Sequence, residues 1–296
     1  MFTPLVLTLS LVSLVAAQDS ALQVEAIQAQ FSNAGLVPDL LSTFVPSALM
    51  NVSFDGVNAI SPGQALSQSQ VAPTPVVTVA LANSSVSLGN NFTIVMVDAD
   101  VVGTDESSKG QTRHWLVNSA SLSGAYIQFK LGNVTVLTTV PRRIGTGSDE
   151  TVSNSSATVI TEYAGPAPAS GSGAHRYVIL LYTQPTSFTP PANLSSPNIG
   201  VSVFSLSDYV SSTGLEGPVA GMYFTVEVGT ASFTVSATSS VVTSTLAVPP
   251  SGTGGSGTST SSGSAASASN AAVGVTSATT TGIALFMGVF AALLFV

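Results

Sequence analysis

The chain has 296 residues, 45% of them hydrophobic and only 7% charged, with six Lys and Arg in total and a net charge of -8. So few cations exclude a nucleic-acid binder, because neutralising phosphates takes a basic stripe. With no cysteine in the sequence, disulfides and cysteine catalysis are excluded together, so a fold outside the cell must rest on its hydrophobic core.

The first 17 residues run apolar, from Leu5-Val6-Leu7 to Leu14-Val15-Ala16-Ala17, and give way to Gln18-Asp19. Small residues at Val15 and Ala17 suit signal peptidase, so 1–17 reads as a secretory leader; a buried N-terminal helix is the competing reading. Residues 18–35 form a short N-terminal segment. In it Leu22, Ala26, Ile27 and Phe31 have near-helical spacing. That spacing predicts a helix over Ala21 to Phe31, stopped by Asn33-Ala34-Gly35.

A domain over 36–229 follows. Leu49 to Phe54 leads into it, and from there the hydrophobic period changes to two. Strands are predicted over 76–81, 92–97, 126–129, 157–160, 177–182, 200–204 and 223–228, each rich in β-branched or aromatic residues. Gly, Pro, Ser and Asn separate them. Many short strands with such joins predict an all-β sandwich of Greek-key type with a few small peripheral helices.

Beyond Thr230 the composition collapses to Ser, Thr, Gly and Ala. Residues 230–270 hold too little apolar surface to offset chain entropy and read as a disordered, O-glycosylated stalk. The last 26 positions, 271–296, read as a glycosylphosphatidylinositol signal that is cut away: small residues Asn270-Ala271-Ala272, a polar spacer, then Gly282 to Val296 without a basic flank. Asn270 is the expected attachment residue, with Ser267, Ser264 and Gly263 as alternatives. A tail-anchored helix is the competing reading. Sequons at Asn51, Asn83, Asn91, Asn133, Asn154 and Asn193 suit a surface glycoprotein of the cell exterior.

The rare chemistry sits in two segments. One is Asp98-Ala99-Asp100 with Arg113-His114-Trp115-Leu116-Val117-Asn118; the other is Tyr163-Ala164-Gly165-Pro166-Ala167-Pro168 leading to Gly171-Ser172-Gly173-Ala174-His175-Arg176-Tyr177. Both histidines and the only tryptophan lie there. An imidazole can donate to a phosphate oxygen while an aspartate on its other nitrogen fixes the tautomer. A carboxylate can instead receive a ligand ammonium. Glycines let backbone N–H groups approach a ligand, and prolines stiffen the turn. His114, His175 and loop amides near Gly165 would face an anion, Tyr177 would donate its hydroxyl, and Trp115 or Pro168 would supply an apolar wall; a strand start in which His175, Arg176 and Tyr177 have purely structural hydrogen-bonding roles is the competing reading. Every Lys and Arg falls between Asp98 and Tyr177; the cluster reads either as an anion-attracting region or as loop solubilisation.

These segments resemble the signatures of the phosphatidylethanolamine-binding protein family: Asp-Pro-Asp, a His with an aromatic and a Val-Asn ending, and Gly-x-x-Pro-x-Gly-x-Gly-x-His-Arg-Tyr. Ala99 stands where the proline is usual, and Val101-Val102-Gly103 where Ala-Pro-Ser is usual. The resemblance runs from about Leu36 to Glu227 and includes Gly217-Pro218-Val219-Ala220 near the end. It implies a β-sandwich with a small anion pocket for phospholipid head groups or other phosphate-like ligands. The implied ligand-binding residues are Asp98, Asp100, His114, Trp115, Gly165, Pro168, His175 and Tyr177.

The expected function is that of a non-enzymatic binding protein, without cofactor or metal, held at the membrane or wall by its anchor. One branch of the family is similar to carboxypeptidase Y inhibitors, so inhibition of a serine carboxypeptidase is the alternative, although only Gln18 to Asn33 precedes the domain. A metal-dependent hydrolase built on His114, His175 and the aspartates is a remote third. No Gly-x-Ser-x-Gly elbow or His-Glu-x-x-His helix occurs in the sequence.

Overall fold

A computed structural model describes residues 6–82, 87–104, 110–123, 126–131, 134–139, 150–153, 157–231 and 241. The chain divides into two units, Met1–Ser251 and Gly252–Val296, the second lying outside the described residues. So do Asn270, the expected stalk beyond residue 231 apart from position 241, and the sequons at Asn83, Asn133 and Asn154.

Helix α1 covers Val6–Asn33, extending well upstream of the helix predicted over Ala21 to Phe31. Its last turns bury Ile27 and Phe31, contacts worth roughly 1.5–3 kcal/mol each. The short turn α2, Leu36–Asp39, follows Gly35, whose left-handed φ of 67 ends the first helix. No helix among the described residues is long and apolar enough to cross a membrane.

The strands are β1 Ala48–Ser53, β2 Gln64–Leu66, β3 Val76–Leu81, β4 Phe92–Asp98, β5 Gln111–Ser123, β6 Tyr126–Leu131, β7 Val134–Thr139, β8 Glu150–Ser153, β9 Thr158–Thr161, β10 His175–Thr183, β11 Ser202–Phe204 and β12 Ala220–Val226. Helix α3, Leu206–Thr213, lies between the last two. The main strand order is β1-β3-β8-β5-β4-β10-β12-β2, with β9 and β11 also paired to β5, while β6 and β7 form a separate hairpin. Pairing is antiparallel except between β12 and β2.

Strand β5 turns the corner. Its end, Ser121 to Ser123, pairs with β8 and continues the sheet of β3 and β1, whereas its earlier residues pair with β4, β9 and β11. The chain is therefore a sandwich of two sheets, as expected. One core fills the space between them, drawing Met50, Val52, Val77 and Val79 from the first sheet and Ile94, Met96, Ile179 and Phe224 from the second. A second core lies on the other face of the larger sheet, where Val95, Val97, Val178 and Leu180 meet Phe31, Leu36 and Phe44 from the N-terminal part and Leu206 and Tyr209 from α3. Strands β4 and β10 are thus buried on both faces, which is why they read as continuous apolar runs.

Candidate functional site

Alternation along β10 decides which side chains meet. His175, Tyr177, Ile179 and Leu181 point toward the core between the sheets, and Arg176, Val178, Leu180 and Tyr182 toward the helices. Strand β4 places Asp98 directly opposite Tyr177. Strand β5 reaches the same place by a bulge: Met96 pairs with Trp115 and Val97 with Arg113, leaving His114 as the extra residue. Strict alternation would turn His114 away from Trp115. The bulge instead swings its ring to within 5.3 Å of Tyr177, edge to face.

Protons in the site can be placed from the bonding partners. His175 Nδ1 lies 3.1 and 3.0 Å from the two Asp98 oxygens. Its Nε2 lies 2.8 Å from Ser172 Oγ and 3.6 Å from Asp100 Oδ1. Ser172 gives its hydroxyl proton to the Ala169 carbonyl at 2.6 Å. Because a hydroxyl has a single proton and a carbonyl oxygen only accepts, Ser172 must accept from Nε2. Both ring nitrogens therefore donate, the arrangement of a cationic imidazole between carboxylates. The order Asp98, His175, Ser172 has the sequence of a hydrolase relay, but the proton runs the opposite way and the serine is not activated.

His114 is oriented differently. Its Nδ1 donates to the Ala164 carbonyl at 2.9 Å, and Ala164 N–H returns a bond of 2.9 Å to the His114 carbonyl. In the neutral ring Nε2 is then an acceptor, and in the charged ring a second donor. Tyr177 is flanked by His114 on one side and by His175 on the other, the latter ring 6.4 Å away and nearly parallel. It is fully buried, and its hydroxyl makes no close hydrogen bond among the described residues, although the Asp98 carboxylate and the Ala167 backbone lie near enough to interact with it. Burial, reinforced by the Asp98 carboxylate and opposed by the Ala167 backbone, holds the phenol far above its ordinary pKa. It stays a neutral donor.

Arg176 supports this rim from behind. Its guanidinium, fully buried, donates to the carbonyls of Ala99 at 2.6 Å, Val101 at 2.9 Å and Asp100 at 3.1 Å. It also reaches Ala34 O at 2.7 Å and Asp39 Oδ2 at 3.5 Å. Asp100 takes a left-handed φ of 54, closed by its own amide bonding to Asp98 Oδ1 at 2.8 Å. Arg113 is likewise interior. It donates to Thr161 Oγ1 at 2.7 Å and Gly200 O at 3.0 Å and lies over the Phe204 ring, and burial lowers its pKa, with Tyr209 opposing. Two of the six cations read as a surface cluster are thus structural.

The structure brings together Asp98, Asp100, His114, His175 and Tyr177. Trp115 packs edge-on to Tyr163 within the core between the sheets. Pro168 is buried. Gly165 has a packing reason of its own, since a Cβ there would stand 3.1 Å from Ala72 Cα and from Val71 O; Tyr163 ties the same two stretches together by donating to Val71 O at 2.6 Å. Ser172, Arg176 and the Ala164 backbone are the participants that sequence reasoning missed. Only Arg176 had a signal, its place between two site residues. Asn51, Asn91 and Asn193 are exposed. Among the described residues no group of three or more His, Asp or Glu is arranged to hold a metal ion.

Residues 50–224 match the family model described as phosphatidylethanolamine-binding protein. A 26 kDa secreted antigen of Toxocara canis is 26% identical over 196 residues, covering 66% of this chain and 62% of the antigen, less than two thirds of that relative's length. CEN-like protein 1 of Nicotiana tabacum is 26% identical over 198 residues, covering 67% and 91%. Among solved structures, a carboxypeptidase Y inhibitor complexed with its cognate proteinase shares the fold at a TM-score of 0.51 and 20% identity, over 69% of this chain and 96% of the inhibitor.

Proposed function

The chain belongs to the phosphatidylethanolamine-binding protein family, and from that membership we propose that it is a non-enzymatic cell-surface protein whose pocket binds a phosphate-like anion, a phospholipid head group such as phosphorylethanolamine being the preferred class. The observation that carries this reading is the buried Tyr177 hydroxyl, flanked by two imidazoles and without a close hydrogen bond among the described residues. An orphaned buried donor costs free energy unless something accepts from it. A phosphate oxygen would accept from Tyr177 and from Nε2 of a charged His114, while His175, its two N–H groups held by Asp98 and Ser172, would contribute its positive charge, and the half-exposed Asp100 carboxylate would receive an ammonium. Entry to the secretory route by the 1–17 leader and attachment through Asn270 complete the proposal.

Isothermal titration of the purified protein with phosphorylethanolamine tests the pocket. The wild type is expected to give a heat that His175→Ala loses; equal heats from both would sink the reading. Inorganic phosphate, titrated alongside, separates recognition of the phosphate from recognition of the ammonium. Release from cells by phosphatidylinositol-specific phospholipase tests the anchor, and continued retention would favour a spanning tail.

A second reading, inhibition of a serine carboxypeptidase, draws on the shared fold of the carboxypeptidase Y inhibitor. The turns of α1 that carry Ile27 and Phe31 are packed into the second core, so this part of the N-terminal segment is engaged by the domain. Unchanged carboxypeptidase activity at excess protein would remove this reading.

A further inference from the structure

The outward face of the smaller sheet carries a second feature. A cavity of about 460 Å³ opens there, lined by Asn51, Ser53, Phe54, Gly56, Asn58 and Thr78 among others, with no charged side chain in its wall. Register sets Asn51 opposite Thr78 and Ser53 opposite Val76. The alternate residues Val52 and Val77 enter the core, so this face looks outward: Asn51 is exposed, and Val76 is left 55% exposed. The wall offers amides and hydroxyls, the Phe54 ring being turned into the core, which suits a neutral polyhydroxy ligand better than an anion or a cation.

Asn51 is both a wall residue of this groove and the first residue of Asn51-Val52-Ser53. The other described sequons have no such setting. At Asn91 the third residue, Thr93, is fully buried and bonded to Asn118, and Asn193 lies on a short 3₁₀ turn, Ala192–Leu194. We propose that Asn51 carries an N-linked glycan whose first sugars lie in this groove and cover Val76. In its formation the Asn51 Nδ2 attacks C1 of an oligosaccharide held on a polyprenyl diphosphate. The N–C1 bond forms, the C1–O bond breaks with its electron pair leaving on the diphosphate, and one amide proton passes to a base of the transferase. Sugar hydroxyls then pair with Asn58, Ser53 and Thr78, while their C–H edges remove Val76 from water. The inference rests on the secretory reading above and is independent of the anion pocket.

The test expresses the full chain through a eukaryotic secretory route. Enzymatic deglycosylation is expected to convert Asn51 to Asp, seen as a mass change in the peptide that contains it. Ser53→Ala, which leaves Asn51 in place, should lose that modification and the matching gel shift. Amide hydrogen exchange over residues 51–59 and 76–80 should be several-fold slower in the glycosylated wild type than in Ser53→Ala. Unmodified Asn51 beside occupied Asn91 or Asn193 would overturn the site while leaving secretory entry standing. No occupancy at any of the six sequons would overturn both, and equal exchange rates would overturn the placement in the groove.

Discussion

Arg176 and Tyr177 are adjacent and fully buried, yet the polar atoms of one find acceptors on Ala34, Asp39, Ala99, Asp100 and Val101, and the hydroxyl of the other makes no close hydrogen bond among the described residues. The first is a girder for the rim, and the second is available to a ligand. Tyr177→Phe should therefore change unfolding free energy by no more than about 1 kcal/mol, since no close protein hydrogen bond is lost. The same substitution should weaken phosphorylethanolamine binding by roughly 10-fold or more, the loss of a hydrogen bond to a charged acceptor. Urea unfolding and calorimetric titration of one preparation check both halves; a loss of stability with unaltered affinity would make the hydroxyl structural. At this scale the sequence already pointed to the side chains that lie together in the candidate site, because His175, Tyr177, Asp98 and His114 fall in the two segments that hold both histidines. It could not separate Trp115, which packs in the core, from His114 beside it. That separation comes from a one-residue bulge, a pairing fact with no local signal.

Among the elements, β5 was the least legible. Its residues Gln111 to Ala120 are mostly buried on both faces, so the alternation that announces a half-buried strand is absent. Helix α3 had a readable start, Ser205-Leu206-Ser207-Asp208, in which the Ser205 hydroxyl accepts from Asp208 N–H at 3.1 Å; its eight residues are too few for periodicity to reveal it. The seating of α1 on β12 depends on Gly221. A Cβ there would meet Leu180 Cδ2 at 3.0 Å, Phe31 Cζ at 3.1 Å and Phe44 Cζ at 3.2 Å, and the two phenyl rings are already stacked at 4.0 Å. Gly221→Ala should cost about 1–3 kcal/mol by overpacking, measured as a lowered urea midpoint at unchanged m-value. An unchanged midpoint would show that the helix is free to shift.

For the whole molecule, the double core has a pH signature. Burial raises the pKa of Tyr163, Tyr177, Tyr182, Tyr209 and Tyr223, that of Tyr209 to about 12. A phenol raised in the folded state keeps its proton where the unfolded chain, near its ordinary value of 10, has lost it. Stability from this source is complete below about pH 10 and declines as pH rises toward the folded values, each tyrosine adding up to about 1.4 kcal/mol per pH unit to the slope. Phenolate absorbance of the native protein should therefore lag that of free tyrosine and rise together with unfolding. A native protein that titrates at the ordinary value would contradict the burial. The amino-acid sequence by itself determined the sandwich class, through many short β-branched runs between turn residues, and pointed to the side chains of the candidate site. Those are local properties, set by backbone preference and residue chemistry. Tertiary structure decided which neighbours share a face, that Arg113 and Arg176 are interior, and that the Tyr177 hydroxyl is buried between two imidazoles without a close hydrogen bond among the described residues. Each of these depends on pairing among strands distant in the chain, where a shift of one residue reverses every side chain.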